Sequence, residues 1–420
     1  MPIATDRRHR HVISGFGSLI VLSLMTLKPA AADWVQYRTS ADRNANLDTQ
    51  LDAPTDRVTE LDTAEEVRAT PTVFAGDLLI GNHGSGMLQR IDPASHETRW
   101  RLRAPNWIHS EIVWQGGVGV VGYGNRFFGS PMPGNVANDT RGTGESGLLA
   151  IDLESGQPRW QYRSSGEMMP TPVLHAGEVY AASGDRAIHV LSLEDGRQTG
   201  LIKLGSFVSM SSPALDDQGQ LFLGGAKPYR FFRVDPATRS IVWMAEFPDV
   251  VSGLDDVSPA VDGDLVVTTA VLPVTAERFE HRLFVLDTQT GERRWEASLG
   301  EGGPVANNQS GAPTIAEGRV VVGSPTSNTL QAFDLHTGER LWRVDSGPVK
   351  AAPVIEAGKV YATTGAGELM VVDLISGREI RRLALSDEPL APAGPVRVGQ
   401  HLVIPAQDGH VYLVPLALLQ

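Results

Sequence analysis

The sequence predicts an all-β fold: an eight-bladed β-propeller of four-stranded antiparallel blades, its ring closed by an N-terminal strand. Three observations carry that expectation. An Asp-turn-Trp unit, or a relic of it, recurs seven times with a constant eight-residue gap: Asp92…Trp100, Asp152…Trp160, Ser192…Gly200, Asp235…Trp243, Asp287…Trp295, Asp334…Trp342 and Asp373…Arg381. Eight short apolar segments start at Pro71, Glu111, Pro172, Pro213, Pro259, Pro313, Pro353 and Pro395, and each meets a turn glycine four to six residues later. The chain also holds 44 Gly and 27 Pro, which suits many short strands joined by turns. Repeats of this length stack as small sheets, because no single one buries its own apolar face.

Residues 1–32 read as a signal peptide. Arg7, Arg8 and Arg10 precede an apolar run from about Val12 to Leu27, and Ala30-Ala31-Ala32 supplies an Ala-x-Ala cleavage site. Residues 33–56 are an N-terminal extension, and 57–420 form the propeller. The seventh repeat shows the template. Ala351 to Ile355 is a first strand, Val360 to Thr364 a second, Glu368 to Asp373 a third and Arg378 to Leu383 a fourth. Proline suits the start of a strand, where its missing N–H breaks no ladder bond. Asp in the hairpin accepts hydrogen bonds from backbone N–H groups two residues on, and Gly supplies positive φ in the same turn. Trp on the fourth strand buries roughly 150–250 Å² and reads as a packing rivet between blades. The eighth repeat stops after three strands, so Arg57-Val58-Thr59-Glu60-Leu61 is expected to supply the fourth and leave no open edge.

The formal net charge is −13, and loss of Arg7, Arg8, Arg10, Lys28 and Asp6 with the leader brings it near −16. A body that acidic is a poor non-specific nucleic-acid binder. The chain has no cysteine, which excludes disulfides, thiolate metal sites and a lipid-modified N-terminal cysteine. A periplasmic or secreted monomer, with no membrane span after leader cleavage, is expected.

The stretches Ala-Ile-Asp-Leu-Glu-Ser-Gly-Gln-Pro-Arg-Trp (150–160) and Ala-Phe-Asp-Leu-His-Thr-Gly-Glu-Arg-Leu-Trp (332–342) resemble the pyrroloquinoline-quinone-type propeller repeat. Similar repeats build the quinoprotein alcohol dehydrogenases and the non-catalytic propellers exemplified by the outer-membrane β-barrel assembly lipoprotein (BamB type). The dehydrogenase branch implies a quinone (PQQ) on the axis, a calcium ion, a catalytic Asp and commonly an adjacent cysteine pair, of which this chain has none. The chain is closer in character to the non-catalytic branch. No cofactor, metal or catalytic residue is expected. The function implied is an exported scaffold that presents one face to a protein or envelope-polymer partner, as in outer-membrane protein assembly. A PQQ- and calcium-dependent dehydrogenase and a carbohydrate-binding propeller are the alternatives.

Strand order places the loops between second and third strands on one face, together with the links between blades. Two insertions fall there, at about 124–147 and 272–282. The candidate binding residues are Trp107, His109, Arg126, Phe127, Phe128, Asn138, Asp139, Arg278, Asn307 and Asn308, because loops of one face carry function on such scaffolds and aromatics with Arg dominate interface hot spots. Asp255-Asp256 reads as a solvated interblade loop.

Overall fold

The computed structural model describes residues 33–128, 140–305 and 310–420. Its strands form eight sheets. Blades 1 to 7 each hold four consecutive antiparallel strands, from Thr72–Phe74 in blade 1 to Glu379–Ala384 in blade 7. In blade 8, Thr59–Asp62 pairs antiparallel with His410–Pro415, so an N-terminal strand closes the ring as expected. That sheet has a fifth strand, Asn46–Leu47, which lies parallel to the innermost strand Val396–Val398. Among the described residues no helix is long and apolar enough to cross a membrane.

The repeated Trp and the repeated Gly belong to one joint between successive blades. The indole N–H of Trp100 donates to the carbonyl of Leu153 at 2.8 Å, and Trp160, Trp243, Trp295 and Trp342 donate to Leu193, Thr288, Leu335 and Leu374. Each acceptor directly follows the turn-opening Asp, or Ser192, of the next blade. The turn glycine of that blade lies flat on the same indole. A Cβ at Gly156, Gly196, Gly291, Gly338 or Gly377 would stand only 2.5–2.7 Å from the ring, at φ of +70 to +74°. Where the Trp is missing, the glycine is missing too. Gly200 ends blade 3 without an indole, and blade 4 carries Arg239 at the turn position. The Arg239 guanidinium lies against Gly200 and bonds the Thr199 carbonyl and, at 2.8 Å, Glu178. His96 holds the corresponding position in blade 1, behind the Trp-free strand Thr59–Asp62. The turn carboxylates behave as their role requires: Asp334 accepts the N–H groups of His336 (3.0 Å) and Thr337 (2.8 Å), and hydrogen bonds from Arg159 and Ser155 pull Asp152 down to about 2.

The segment expected to precede the propeller is built into its axis. Residues 33–47 run past the inner strands of blades 2 to 8 in order. Trp34 exchanges backbone hydrogen bonds with Trp114, Leu174 donates to Val35, and Gln36 bonds the backbone of Leu215. Val261, Ile315 and Arg397 then donate to Ala41, Asp42 and Ala45, and Ile355 donates to the Asn44 side chain. Two arginines of this segment are fully buried. Arg38 donates to the carbonyls of Ala393, Pro395 and Pro353, and Arg43 to those of Pro259, Ser212 and Tyr37. A planar guanidinium offers five donors in a fixed fork, which suits several converging carbonyls. Burial lowers both groups, Arg43 to about 10. Glu111 holds the start of the segment, accepting from Trp34 Nε1 at 3.0 Å and the Arg38 N–H at 2.9 Å. The sequence aligns Glu111 with the strand-opening prolines, but strand register shifts it by one. Ile112 takes the proline place, since Val113–Gln115 matches Val173–His175, and Glu111 matches Thr171.

Two measurements probe these joints. Gly338→Ala adds backbone strain of about 1–3 kcal/mol and steric insertion against Trp295 of about 1–3 kcal/mol more. In a Trp295→Ala background only the strain remains, so a double-mutant cycle by denaturant unfolding shows coupling, whereas equal costs in both backgrounds contradict the joint. Burial pushes Glu111 up to about 7 from 4.5. The folded protein therefore holds a proton there that the unfolded chain has released, and this stabilisation is full below pH 4.5 and lost as pH rises through 7. Glu111→Gln keeps the acceptor and removes the linkage. Its stability relative to wild type rises between pH 4.5 and 7.5, and parallel pH profiles would refute the assignment.

Candidate functional site

Eightfold stacking turns one sequence position into a ring. The third residue before the first-strand proline, or before Ile112 in blade 2, is Arg68, His109, Met169, Met210, Asp256, Ser310, Lys350 and Pro392 in blades 1 to 8. All but Ser310 line a cavity of about 690 Å³ at the channel mouth, and the same seven line a smaller chamber of about 50 Å³ beneath it. The chamber walls are Thr171, Ser212, Ser258, Ala312 and Ala393, and Tyr37 of the axial segment forms its floor. Its hydroxyls also tie the blades together: Glu111 N–H donates to Thr171, Thr171 N–H to Ser212 and Ser212 N–H to Ser258, at 3.0–3.1 Å.

The mouth lies on the face that carries the interblade links and the loops between second and third strands. Arg126 and Arg141, from the long loop of blade 2, add two cations to Arg68 and Lys350. The carboxylate lining the cavity is Asp256. Arg141 is held by Glu167 at 3.0 Å, and Glu167 also accepts the Met169 N–H at 2.8 Å. Burial pushes Glu167 up to about 7 against the pull of Arg141. The positive field registers on the bases of the mouth. Burial, then the charge of Arg68, pushes His83 down to about 4. His109 falls well below its ordinary range through burial, His83, Arg68, Arg141 and Arg126. Lys350 is lowered by burial and by Arg68. Asp255, beside Asp256, is raised well above the usual carboxylate range by burial and then by Asp256.

Of the residues chosen from sequence, Trp107, His109 and Arg126 line this cavity. Trp107 joins an aromatic run in which its ring lies 4.7 Å from His83 and 5.3 Å from Phe127, and His83 lies 4.2 Å from His109. Phe128 packs on Phe207 at 5.6 Å with Lys227 Nζ 4.6 Å above it, so the two phenylalanines pin the loop to two different interblade links. Both stay 42–49% exposed. Arg278 does not join the cavity lining; it pairs with Glu301 at 3.0 Å on the long hairpin of blade 5. Asn138, Asp139, Asn307 and Asn308 lie outside the described residues. Asp255-Asp256 is not a solvated loop. Asp255 is 7% exposed, and its carbonyl accepts the N–H groups of Ser209, Met210 and Ser211, which fold the link inward. Sequence reasoning missed Arg68, Met169, Met210, Glu167 and Lys350, although the constant offset from the prolines marked four of these five.

The residues present do not fit a calcium-held quinone. Among the described residues no three His, Asp or Glu side chains gather as a metal site, and hard cations need several oxygen ligands. Four cations around Asp256 further disfavour a metal ion.

Comparison with known proteins relates the chain to tetrathionate hydrolases, to outer membrane protein assembly factors and, over 17% of its length, to a quinohemoprotein alcohol dehydrogenase of Comamonas testosteroni. It is 28% identical to the tetrathionate hydrolase of Acidithiobacillus ferrooxidans over 67% of this chain, and the match spans 58% of the hydrolase's length. It is 23% identical to the outer membrane protein assembly factor BamB of Burkholderia pseudomallei, over 81% of this chain and 82% of that protein. The crystal structure of BamB from Moraxella catarrhalis superposes with a TM-score of 0.62 at 17% identity, covering 85% of this chain and 99% of the other. The profile of the family described as outer membrane protein assembly factor BamB matches residues 84–199 and 230–414. With most of the propeller matched, the chain belongs to that family of PQQ-like repeat propellers.

Proposed function

We propose that the channel mouth binds a small multivalent anion and that the protein hydrolyses it, acting on a sulfur oxyanion of the tetrathionate kind. The observation that carries this reading is the convergence of Arg68, Arg126, Arg141 and Lys350 on one cavity in a chain of net charge −13. Four like charges brought to one mouth repel one another, and Arg68 and Arg141 each have one carboxylate partner, Glu66 and Glu167, so a bound anion would offset the remaining cost. The relationship to a tetrathionate hydrolase supports the choice of anion. In this reading the cations hold the sulfonate oxygens, and Asp256 takes a proton from the attacking water. Hydrolysis forms one S–O bond from water and breaks one S–S bond, whose electron pair leaves on the released sulfur chain. The two protons of the water pass to Asp256 and to solvent. The leader that the sequence predicts at 1–32 supports placing this activity in the cell envelope.

A second reading, a scaffold in outer-membrane protein assembly, is supported by the family and by the exposed rim residues Phe127 and Phe128. The two readings differ in what enters the mouth. Calorimetric titration of the leaderless chain with tetrathionate, together with acid release on incubation, separates them. Arg68→Gln weakens binding by about tenfold or more. Asp256→Asn retains binding and loses acid release. No binding heat in wild type, or full acid release from Asp256→Asn, would overturn the hydrolase reading. Capture of an assembly component by wild type but not by Phe127→Ser/Phe128→Ser would favour the scaffold.

A further inference from the structure

The ring is chemically two-sided. Lys350, Pro392, Arg68 and His109 occupy blades 7, 8, 1 and 2, whereas Arg141 of the blade 2 loop reaches blade 3, its backbone on Gly184 and its side chain on Glu167. Blades 3 and 4 contribute Met169 and Met210, and blade 3 stands across the eight-membered ring from blade 7, the source of Lys350. Both methionines line the cavity and the chamber below it. Their backbones are fixed from behind, the Met169 N–H on Glu167 at 2.8 Å and the Met210 N–H on the Asp255 carbonyl at 2.9 Å. At the level of the ring an ion therefore meets Arg68 and Lys350 on one side and two thioethers on the other, with Arg141 on Glu167 beside the thioethers.

That asymmetry sorts anions by hydration. A compact ion such as sulfate or phosphate is solvated all round, and the thioether side returns no hydrogen bond for the water it removes. An elongated ion with charged ends and a weakly hydrated middle loses little there, and gains dispersion contacts with the polarizable sulfurs. A volume of about 690 Å³ leaves room for such a chain. We infer that Met169 and Met210 are specificity-determining residues that select anions with a polarizable, weakly hydrated chain over compact oxyanions. The inference rests on the anion-site reading above and adds to it which anions the site prefers.

The test compares affinities for tetrathionate, butane-1,4-disulfonate, sulfate and phosphate by calorimetry on the leaderless chain. Wild type binds both chain-bearing dianions at least about tenfold more tightly than sulfate or phosphate. Met169→Gln/Met210→Gln brings that ratio close to one with sulfate affinity unchanged, because the polar amides favour neither class. Met169→Leu/Met210→Leu, a nearly volume-conserving change, keeps the ratio for the carbon-chain dianion. A wild-type ratio near one overturns the selectivity while leaving an anion site in place, and so does an unchanged ratio in the Gln variant. Absence of all anion binding removes the site itself. If the Gln variant does not fold, the wild-type ratio and the Leu variant still decide the matter.

Discussion

The contact of a tryptophan ring with a glycine of the next blade is the constraint on which the rest of the molecule depends. It sets the spacing of neighbouring blades through one hydrogen bond and one close ring-to-backbone approach, and it repeats at five joints. Any side chain at the glycine would push the blades apart. Where the indole is absent, the neighbour exchanges its glycine for a residue that fills the space, as Arg239 does beside Gly200. The joint is thus a matched pair of residues 35 to 56 apart in sequence, and its exceptions are matched as well.

A ring held at constant spacing gives every equivalent residue the same height on the axis. The place three residues before the first-strand proline becomes the cavity wall, and the place directly before the proline supplies Thr171, Ser212, Ser258 and Ala312 to the chamber beneath it. The axial segment closes the lower end, with Arg38 and Arg43 meeting carbonyls that the converging inner strands leave pointing at the axis. Charge then divides by location. The chain as a whole is acidic, whereas the mouth gathers arginine and lysine and keeps its histidines neutral. A positive cavity on a negative body is a specific arrangement, because like charges gathered at one mouth repel unless something offsets them.

Much of this was legible in the chain because it is periodic. The eight-residue gap from Asp to Trp reports a hairpin of fixed length, and the truncated last repeat predicts closure by a strand that the structure places at Thr59–Asp62. The partner of each Trp was not legible, since a glycine reads as turn chemistry until the indole is seen lying on it. The axial segment reads as an extension because Asp33 to Leu47 has no strand alternation, and its order comes from backbone bonds, with the Gln36 and Asn44 side chains, to seven different blades. Asp255-Asp256 departs from the sequence expectation for a related reason: two adjacent carboxylates signal solvent unless the backbone folds them inward, and that fold depends on N–H groups from the preceding link. The cavity wall itself was readable. Arg68, Met169, Met210, Asp256 and Lys350 share one offset from the prolines, but they share no residue type, so a search by chemistry passes over them.

The central claim is that this ring is an anion site. Its most direct measurement is a crystal soaked in tetrathionate and recorded at a wavelength where sulfur scatters anomalously. Anomalous peaks inside the ring beyond those of the Met169 and Met210 sulfurs, with sulfonate oxygens within about 3 Å of Arg68, Arg141 or Lys350, are the predicted result. Density confined to the outer surface, with only water between the eight inner strands, would contradict it.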